Sequence, residues 1–164
     1  MKPLRILLIV FAVLILSTCK ESSQRPEIGA IVPGFVLPDL AGSKVNVPGD
    51  FSGKVTVIRF WANTCPHCIN NMRDIDFLYT RYKDMGLVVI AVNVAQSKQD
   101  VETFIEKLDI TYTVLLDTES VVSKPYGVAS LPTTFILDRN GILKVKIIGE
   151  TTIETMAGHI SGLM

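Results

Sequence analysis

The sequence lacks an excess of charge of either sign. Its 164 residues contain 16 lysines and arginines and 16 aspartates and glutamates, so the formal net charge is zero. Proteins that bind nucleic acid usually carry a strong basic bias. The composition therefore argues against a nucleic-acid partner. The length and the hydrophobic share of 48% are those of a chain with one globular domain.

Cysteine and histidine are scarce. The chain has three cysteines and two histidines, and Cys19 lies far from the pair Cys65 and Cys68. A structural zinc site takes about four ligands, whereas this pair and His67 supply three at most. The other histidine, His159, lies near the C-terminus without ligand spacing. We therefore predict no metal site.

The apolar run at the N-terminus, Leu4–Leu16, is too short for a membrane-spanning helix, which needs about 20 residues. It begins among the positive charges of Lys2 and Arg5. A positive start followed by an apolar stretch of this kind is typical of an export signal. We predict that residues 1–18 are this signal and that the domain lies outside the cytoplasm.

The sequence LSTC follows the apolar run and ends at Cys19. It resembles the lipobox of bacterial lipoproteins, in which the cysteine is lipidated and becomes the first residue. Thr18 departs from that pattern, which usually has Gly, Ala or Ser there. We predict a lipid on Cys19, with an uncleaved N-terminal anchor as the alternative. Both tether the protein to a membrane of the bacterial cell envelope, and residues 19–27 are predicted to form a polar linker.

Residues 28–164 are predicted to form one α/β domain. Two short apolar stretches separated by turn residues predict a β-hairpin at Phe35–Leu37 and Val45–Val47. The following strands and helices alternate, which indicates right-handed parallel crossovers, and Asn140-Gly141 suits the turn of a second hairpin. Together these elements predict a mixed sheet with helices on both faces. The other predicted elements are strands at Lys54–Phe60, Leu87–Val94, Val114–Leu116, Thr133–Leu137 and Ile142–Ile148, helices at Pro66–Asp84, around Val101–Leu108 and around Ile153–Ile160, and a short helix before the last hairpin.

The segment FWANTCPHC, residues 60–68, carries the candidate chemistry. Cys65 is predicted between the end of a strand and the first turn of a helix, where free backbone N–H groups stabilise an anion. This position should favour the thiolate, which is the form that attacks disulfides. Cys68, one turn further on, can resolve a mixed disulfide, and Pro66 suits the first helical turn. A purely structural disulfide is a poor alternative, because so short a loop constrains little of the unfolded chain.

Four stretches in order resemble the extracytoplasmic TlpA/ResA-like thiol–disulfide oxidoreductases. They are IGAIVPGFVLPDLAGSKV, FSGKVTVIRFWA before the cysteine pair, VVIAVNVAQSKQDVETFIEKLDITYTVLLD and GVASLPTTFILDRNGIL. The resemblance implies a thioredoxin-like fold, with a central mixed β-sheet flanked by helices and an N-terminal β-hairpin extension. It also implies an enzyme that exchanges electrons with protein cysteines through a redox-active Cys65–Cys68 disulfide and needs no other cofactor.

The loop SLPTT adds an expectation about substrate binding. In the resembled family, the proline at the position of Pro132 follows a cis peptide bond and faces the cysteine pair. The backbone of Leu131 would then pair with an extended substrate beside the first cysteine. The surface around that cysteine would be shaped by three further residues, Trp61, Pro66 and His67.

Three positions depart from the family pattern. Members that reduce cytochromes often carry a glutamate three positions after the second cysteine, where this chain has Asn71. Thioredoxin has a buried aspartate where this chain has Arg59. We expect Arg59 either to extend to solvent from the strand end or to place a cation near the dithiol, and we favour the first. Thr64 replaces a tryptophan and should leave Cys65 more open.

The dipeptide Pro66-His67 leaves the direction of electron flow open. It is the dipeptide of the strong oxidant DsbA, and a positive histidine near the thiolate would stabilise the reduced form. The resemblance instead favours a reductase that keeps the cysteines of exported proteins reduced, apocytochrome c among them. Such a reductase would draw electrons from a membrane thiol electron-transfer partner.

Three alternatives remain open. The first is a DsbA-like oxidase or isomerase. The second is a thiol peroxidase, although the Pro-x-x-x-Thr-x-x-Cys pattern of peroxiredoxins is absent because position 62 is Ala. The third is a copper-binding assembly protein, a class that uses a wider cysteine spacing and a distant histidine.

Overall fold

The computed structural model describes residues 25–164. The predicted export signal at residues 1–18, Cys19 and most of the predicted linker lie outside the described residues. In the part that is described, none of the helices is long and apolar enough to cross a membrane.

A five-stranded mixed sheet forms the centre of the domain, in the strand order β5-β4-β3-β6-β7. Strands β3, β4 and β5 are parallel, whereas β6 and β7 are antiparallel to their neighbours. Strands β1 and β2 pair separately as an antiparallel hairpin, which confirms the predicted extension. The strands are β1 Phe35–Pro38, β2 Lys44–Val47, β3 Val55–Trp61, β4 Leu87–Val94, β5 Thr113–Asp117, β6 Thr133–Leu137 and β7 Leu143–Ile148.

The helix predicted over Pro66–Asp84 is interrupted. The backbone of Asn71 adopts φ −120° and ψ 17°, which is not helical. The Asn71 side chain is hydrogen-bonded to Arg59 of β3 and to the carbonyl of Thr151, and these bonds hold the backbone in this conformation. A short first helix therefore carries the second cysteine, and a longer one follows. The helices are α1 Pro66–Ile69, α2 Met72–Tyr82, α3 Lys98–Ile105 and α4 Ile153–Ser161, with 3-10 turns at Gly49–Phe51 and Lys83–Met85.

Alternate residues of the fully buried strand β3 face two separate core layers. Val57 and Trp61 belong to the layer in which α2, α3 and α4 pack against the sheet. Ile58 and Phe60 belong to the layer on the opposite face, which the β1–β2 hairpin covers with Leu37 and Val47 among others. The central strand therefore holds the start of the active-site loop rigidly from both sides.

Residues 121–127 form turns where the sequence predicted a short helix. Pro125 lacks an N–H for a helical hydrogen bond, and Gly127 adopts a positive φ of 67°. The buried carboxylate of Asp117 accepts the N–H groups of Val122 and Ser123 at 3.1 and 2.7 Å. The described helices consequently pack on one face of the sheet, not on both as predicted, and these turns help the hairpin to cover the other.

Candidate active site

Cys65 and Cys68 are joined by a disulfide at the junction of β3 and α1. Cys65 immediately precedes α1 with an extended backbone, at φ −102° and ψ 103°, and Pro66 takes the first helical position. The N–H of Cys68 donates to the carbonyl of Cys65 at 3.0 Å, and the two Cα atoms are 5.3 Å apart. The predicted position of Cys65 between a strand and a helix is confirmed.

The two sulfurs differ in their access to solvent. Cys65 is half-buried, whereas Cys68 is fully buried at 0% exposure, in the core layer beneath the helices. In thiol–disulfide exchange, the attacking sulfur must approach the attacked sulfur closely, in line with the disulfide bond that breaks. A protein substrate can therefore reach Cys65 but not Cys68.

The proline loop lies against the cysteine pair, as predicted. The Leu131–Pro132 peptide bond is cis, and the Sγ of Cys65 is 3.5 Å from the carbonyl oxygen of Leu131. Pro132 is buried and Leu131 half-buried. A second cis bond, between Val47 and Pro48 in the hairpin, had no signal in the sequence analysis.

Trp61 does not take part in the surface around Cys65, contrary to the prediction. Its side chain is fully buried and packs against Phe104 of α3 with ring centroids 5.6 Å apart. As the last residue of β3, it faces the helical core layer and supports the loop from below. Pro66 and His67, by contrast, are exposed beside Cys65 and are placed where a substrate could contact them.

A cluster of amide side chains fixes the loop between β3 and Cys65. The Oε1 of Gln96 accepts the backbone N–H of Asn63 and the side-chain amide of Asn93, each at 2.8 Å. The Gln96 amide donates back to the side-chain oxygen of Asn63. The loop is thus held to the end of β4, next to the disulfide. Gln96 and Asn93 were missed, because their partners are distant in sequence.

Glu150, in the loop between β7 and α4, contacts the exposed side of α1. Its Oε2 is 3.0 Å from the Nδ1 of His67, and its Oε1 accepts a hydrogen bond from the Asn70 amide at 3.0 Å. Hydrogen bonds from Asn70 and His67, together with the charges of His67 and Arg59, hold the pKa of Glu150 below its usual range. The carboxylate is therefore ionised at neutral pH. Local sequence offered no signal for this contact, which joins residues about 80 positions apart.

Arg59 is buried in the middle of β3, with 2% of its surface exposed. The extension to solvent that we favoured is therefore wrong. Its guanidinium donates to the Oδ1 of Asn71 at 2.9 Å and to the hydroxyl of Thr134 at 3.1 Å. Its Nε has no hydrogen-bond partner among residues 25–164. Burial lowers the pKa of Arg59 to about 10, so it remains a cation. Asn71, in turn, donates to the carbonyl of Thr151 at 3.0 Å, next to Glu150.

No group of three or more histidine, cysteine, aspartate or glutamate side chains is arranged to hold a metal ion within residues 25–164. The site in this structure contains the disulfide, the cis-proline loop and the polar side chains around them.

Comparisons with known proteins agree with this geometry. Residues 28–146 match the AhpC/TSA family. The chain is 36% identical to thiol-disulfide oxidoreductase ResA of Geobacillus thermodenitrificans over 136 residues, which cover 83% of this chain and 78% of the relative.

Two solved structures are similar over most of the domain. A Chlorobium tepidum protein named as a thiol:disulfide interchange protein DsbE has a TM-score of 0.79 at 28% identity, covering 84% of this chain and 98% of that one. The exposed lipoprotein thioredoxin of Streptococcus pneumoniae has a TM-score of 0.70 at 26% identity, covering 80% and 100%. The thioredoxin-like fold is confirmed. The chain belongs to the AhpC/TSA family and is a ResA-like thiol–disulfide oxidoreductase.

Proposed function

We propose that this oxidoreductase works outside the cytoplasm, tethered to a membrane through its N-terminus, and reduces disulfides of exported proteins. The observation that carries this proposal is the unequal access of the two sulfurs, Cys65 half-exposed and Cys68 fully buried. A dithiol with one accessible and one buried sulfur can capture a protein disulfide and then release it. The proposed roles are therefore nucleophile for Cys65 and resolving residue for Cys68.

The proposed reaction passes two electrons to the substrate. The Cys65 thiolate attacks one sulfur of the substrate disulfide, that bond breaks, and the other substrate sulfur leaves as a thiolate that takes up a proton. Cys68 then gives up its proton and attacks the sulfur of Cys65 in the mixed disulfide. The second substrate sulfur leaves as a thiol, and the enzyme is left with the Cys65–Cys68 disulfide that the structure contains.

Leu131 and Pro132 are proposed to form the docking edge for an extended substrate. The Leu131 carbonyl is 3.5 Å from the Cys65 sulfur, so a strand that paired there would bring its own cysteine to the site of attack. Proline has no N–H that could hydrogen-bond to the sulfur, and its side chain has no atom that binds a metal. The exposed side chains of Pro66 and His67 would border the same substrate.

A trapping experiment tests the assignment of the two cysteines. A Cys68→Ala variant lacks the resolving thiol, so we expect it to accumulate mixed disulfides with envelope proteins through Cys65. These adducts should appear on non-reducing gels and disappear with a reductant. The matched control is Cys65→Ala, which keeps a buried thiol and should trap nothing. Equal trapping by both variants, or by neither, would contradict the proposal.

The electron donor and one substrate class follow from the same proposal. Each turnover leaves the enzyme oxidised, so a thiol donor must reduce it again, and a membrane thiol electron-transfer protein would meet a tethered enzyme. Apocytochrome c, whose cysteines must be reduced before haem attachment, is the proposed substrate among exported proteins. The N-terminal apolar run and Cys19 support the tether, and a similar pneumococcal protein is a lipoprotein.

A thiol oxidase is the second candidate, and the exposed Pro66-His67 dipeptide is the observation that favours it. The reduction potential of the Cys65–Cys68 couple separates the two functions. A value near that of thioredoxin, about −270 mV, supports the reductase, whereas a value near that of DsbA, about −120 mV, would replace it by the oxidase.

A further inference from the structure

Glu150 is held at the active site by the residues on both sides of it in the chain. Gly149, with a positive φ of 88°, donates its N–H to the carbonyl of Pro132 at 2.8 Å. The carbonyl of Thr151 accepts a hydrogen bond from the Asn71 side chain at 3.0 Å. The Glu150 backbone is therefore fixed between the cis-proline loop and the break that separates α1 from α2.

The Glu150 carboxylate uses both oxygens on α1. One accepts from Asn70, and the other contacts the Nδ1 of His67, each at 3.0 Å. Because an ionised carboxylate can only accept hydrogen bonds, Nδ1 of His67 carries the proton and is the donor. Among residues 25–164, His67 from α1 and the buried Arg59 from β3 interact electrostatically with the carboxylate.

We propose that Glu150 and His67 form a compensated charge pair beside Cys65, in which the carboxylate offsets the positive charge of the histidine and so keeps this dithiol a reductant. The proposal rests on the reductase function proposed above. Glu150 is a positioning residue here, since it acts on Cys65 through His67 and through its charge.

The redox balance explains the direction of the effect. Reduction of the disulfide takes up two electrons and one proton when the products are the Cys65 thiolate and the Cys68 thiol. Only the reduced form therefore carries a negative sulfur. A lone imidazolium nearby stabilises that form and makes the disulfide a stronger oxidant, whereas a lone carboxylate does the reverse. A pair of opposite charges has little net effect.

Four proteins, the wild type among them, test the pair in glutathione redox buffers at pH 6. Glu150→Gln leaves the imidazolium uncompensated, and we expect the equilibrium to shift about three- to tenfold toward the dithiol, or about 15 to 30 mV. His67→Gln leaves the carboxylate uncompensated and should shift the equilibrium by a similar factor toward the disulfide. The double variant should return to within about twofold of the wild-type value.

Opposite shifts that cancel in the double variant are a signature that loss of structure does not produce. The control Glu106→Gln removes the same charge from an exposed residue at the end of α3 and should leave the equilibrium unchanged. Single variants that shift in the same direction, or that both stay within about twofold of wild type, would overturn the proposal. Because glutathione replaces the protein substrate, this result is independent of the trapping experiment, whose failure would instead overturn the proposed function.

Discussion

At the scale of single residues, the least expected feature is a buried cation, Arg59, that forms no salt bridge within residues 25–164. Arg59 donates to two neutral oxygens, on Asn71 and Thr134. A buried charge loses its hydration and depends on such hydrogen bonds. Asn71 therefore does two things: it accepts from Arg59, and its donation to Thr151 ties the break in the helix to the loop of Glu150.

Replacing Asn71 should therefore destabilise the protein more than replacing the cation itself. Asn71→Leu keeps the approximate side-chain volume but removes one hydrogen-bond acceptor of the Arg59 guanidinium. We expect this variant to lower the free energy of unfolding by about 2–3 kcal/mol. Arg59→Met should cost less, because it also removes the desolvated charge. Urea unfolding of the oxidised proteins measures both changes.

Asn70→Ala provides the matched control for this comparison, since Asn70 is exposed and adjacent in sequence. We expect it to change the unfolding free energy by no more than about 0.5 kcal/mol. If Asn71→Leu were as stable as this control, the hydrogen bond to Arg59 would have no structural importance.

At the scale of secondary-structure elements, the domain divides into a rigid central sheet and a hairpin that covers one face of it. Strand β3 is buried along its whole length and pairs with both β4 and β6. The β1–β2 hairpin forms its own sheet. Two isolated bridges connect it to the rest of the domain: Ile31, in the segment before β1, pairs with Ile142, and Asp39, in the turn between β1 and β2, pairs with Leu115 of β5. The hairpin thus depends mainly on side-chain packing for its position.

This difference should appear in hydrogen exchange of the backbone amides. We expect amides of β3 and β4 to exchange only through global unfolding, and hydrogen-bonded amides of β1 and β2 to exchange at least about tenfold faster through local opening. Mass spectrometry or NMR of the native oxidised protein measures both sets. Equal protection of the hairpin and of β3 would show that they unfold as one unit.

At the scale of the whole molecule, the proposed function depends on whether the N-terminus tethers the domain to a membrane. The N-terminal apolar run and Cys19 precede the domain by a short polar segment, and a lipid there would keep the active site close to membrane proteins. Each buried methylene of an acyl chain adds about 0.8 kcal/mol to membrane binding. The lipid and the uncleaved anchor predict different results when the cysteine is removed.

If Cys19 is lipidated, Cys19→Ala should abolish incorporation of labelled palmitate in cells and prevent lipoprotein-type cleavage of the signal. The control Cys65→Ala should keep both the label and the cleavage. Membrane fractionation and gel mobility detect the change. Unchanged mobility and membrane binding of Cys19→Ala, with no label in the wild type, would favour the uncleaved anchor instead.

Much of the fold could be predicted because it follows local patterns. Strands β4 and β6 were predicted with their observed bounds. Runs of β-branched and apolar residues bounded by polar or turn residues usually form strands. The helix that follows the cysteines was predicted as one piece, because the periodicity of its apolar residues continues across Asn71. Its interruption depends on Arg59, which lies 12 residues before Asn71 in a separate strand, and on Thr151, which lies 80 residues after it.

The candidate site divides in the same way. Chain order alone places Cys65 at a strand–helix junction and brings Pro66 and Cys68 with it, because these residues are neighbours in sequence and their geometry is local. The burial of Trp61 and Arg59, and the contact of Glu150 with His67, depend on which face of a strand turns inward and on where a distant loop returns. Tertiary packing sets these contacts because burial and long-range hydrogen bonds join residues from separate elements, and no local pattern encodes such a pairing.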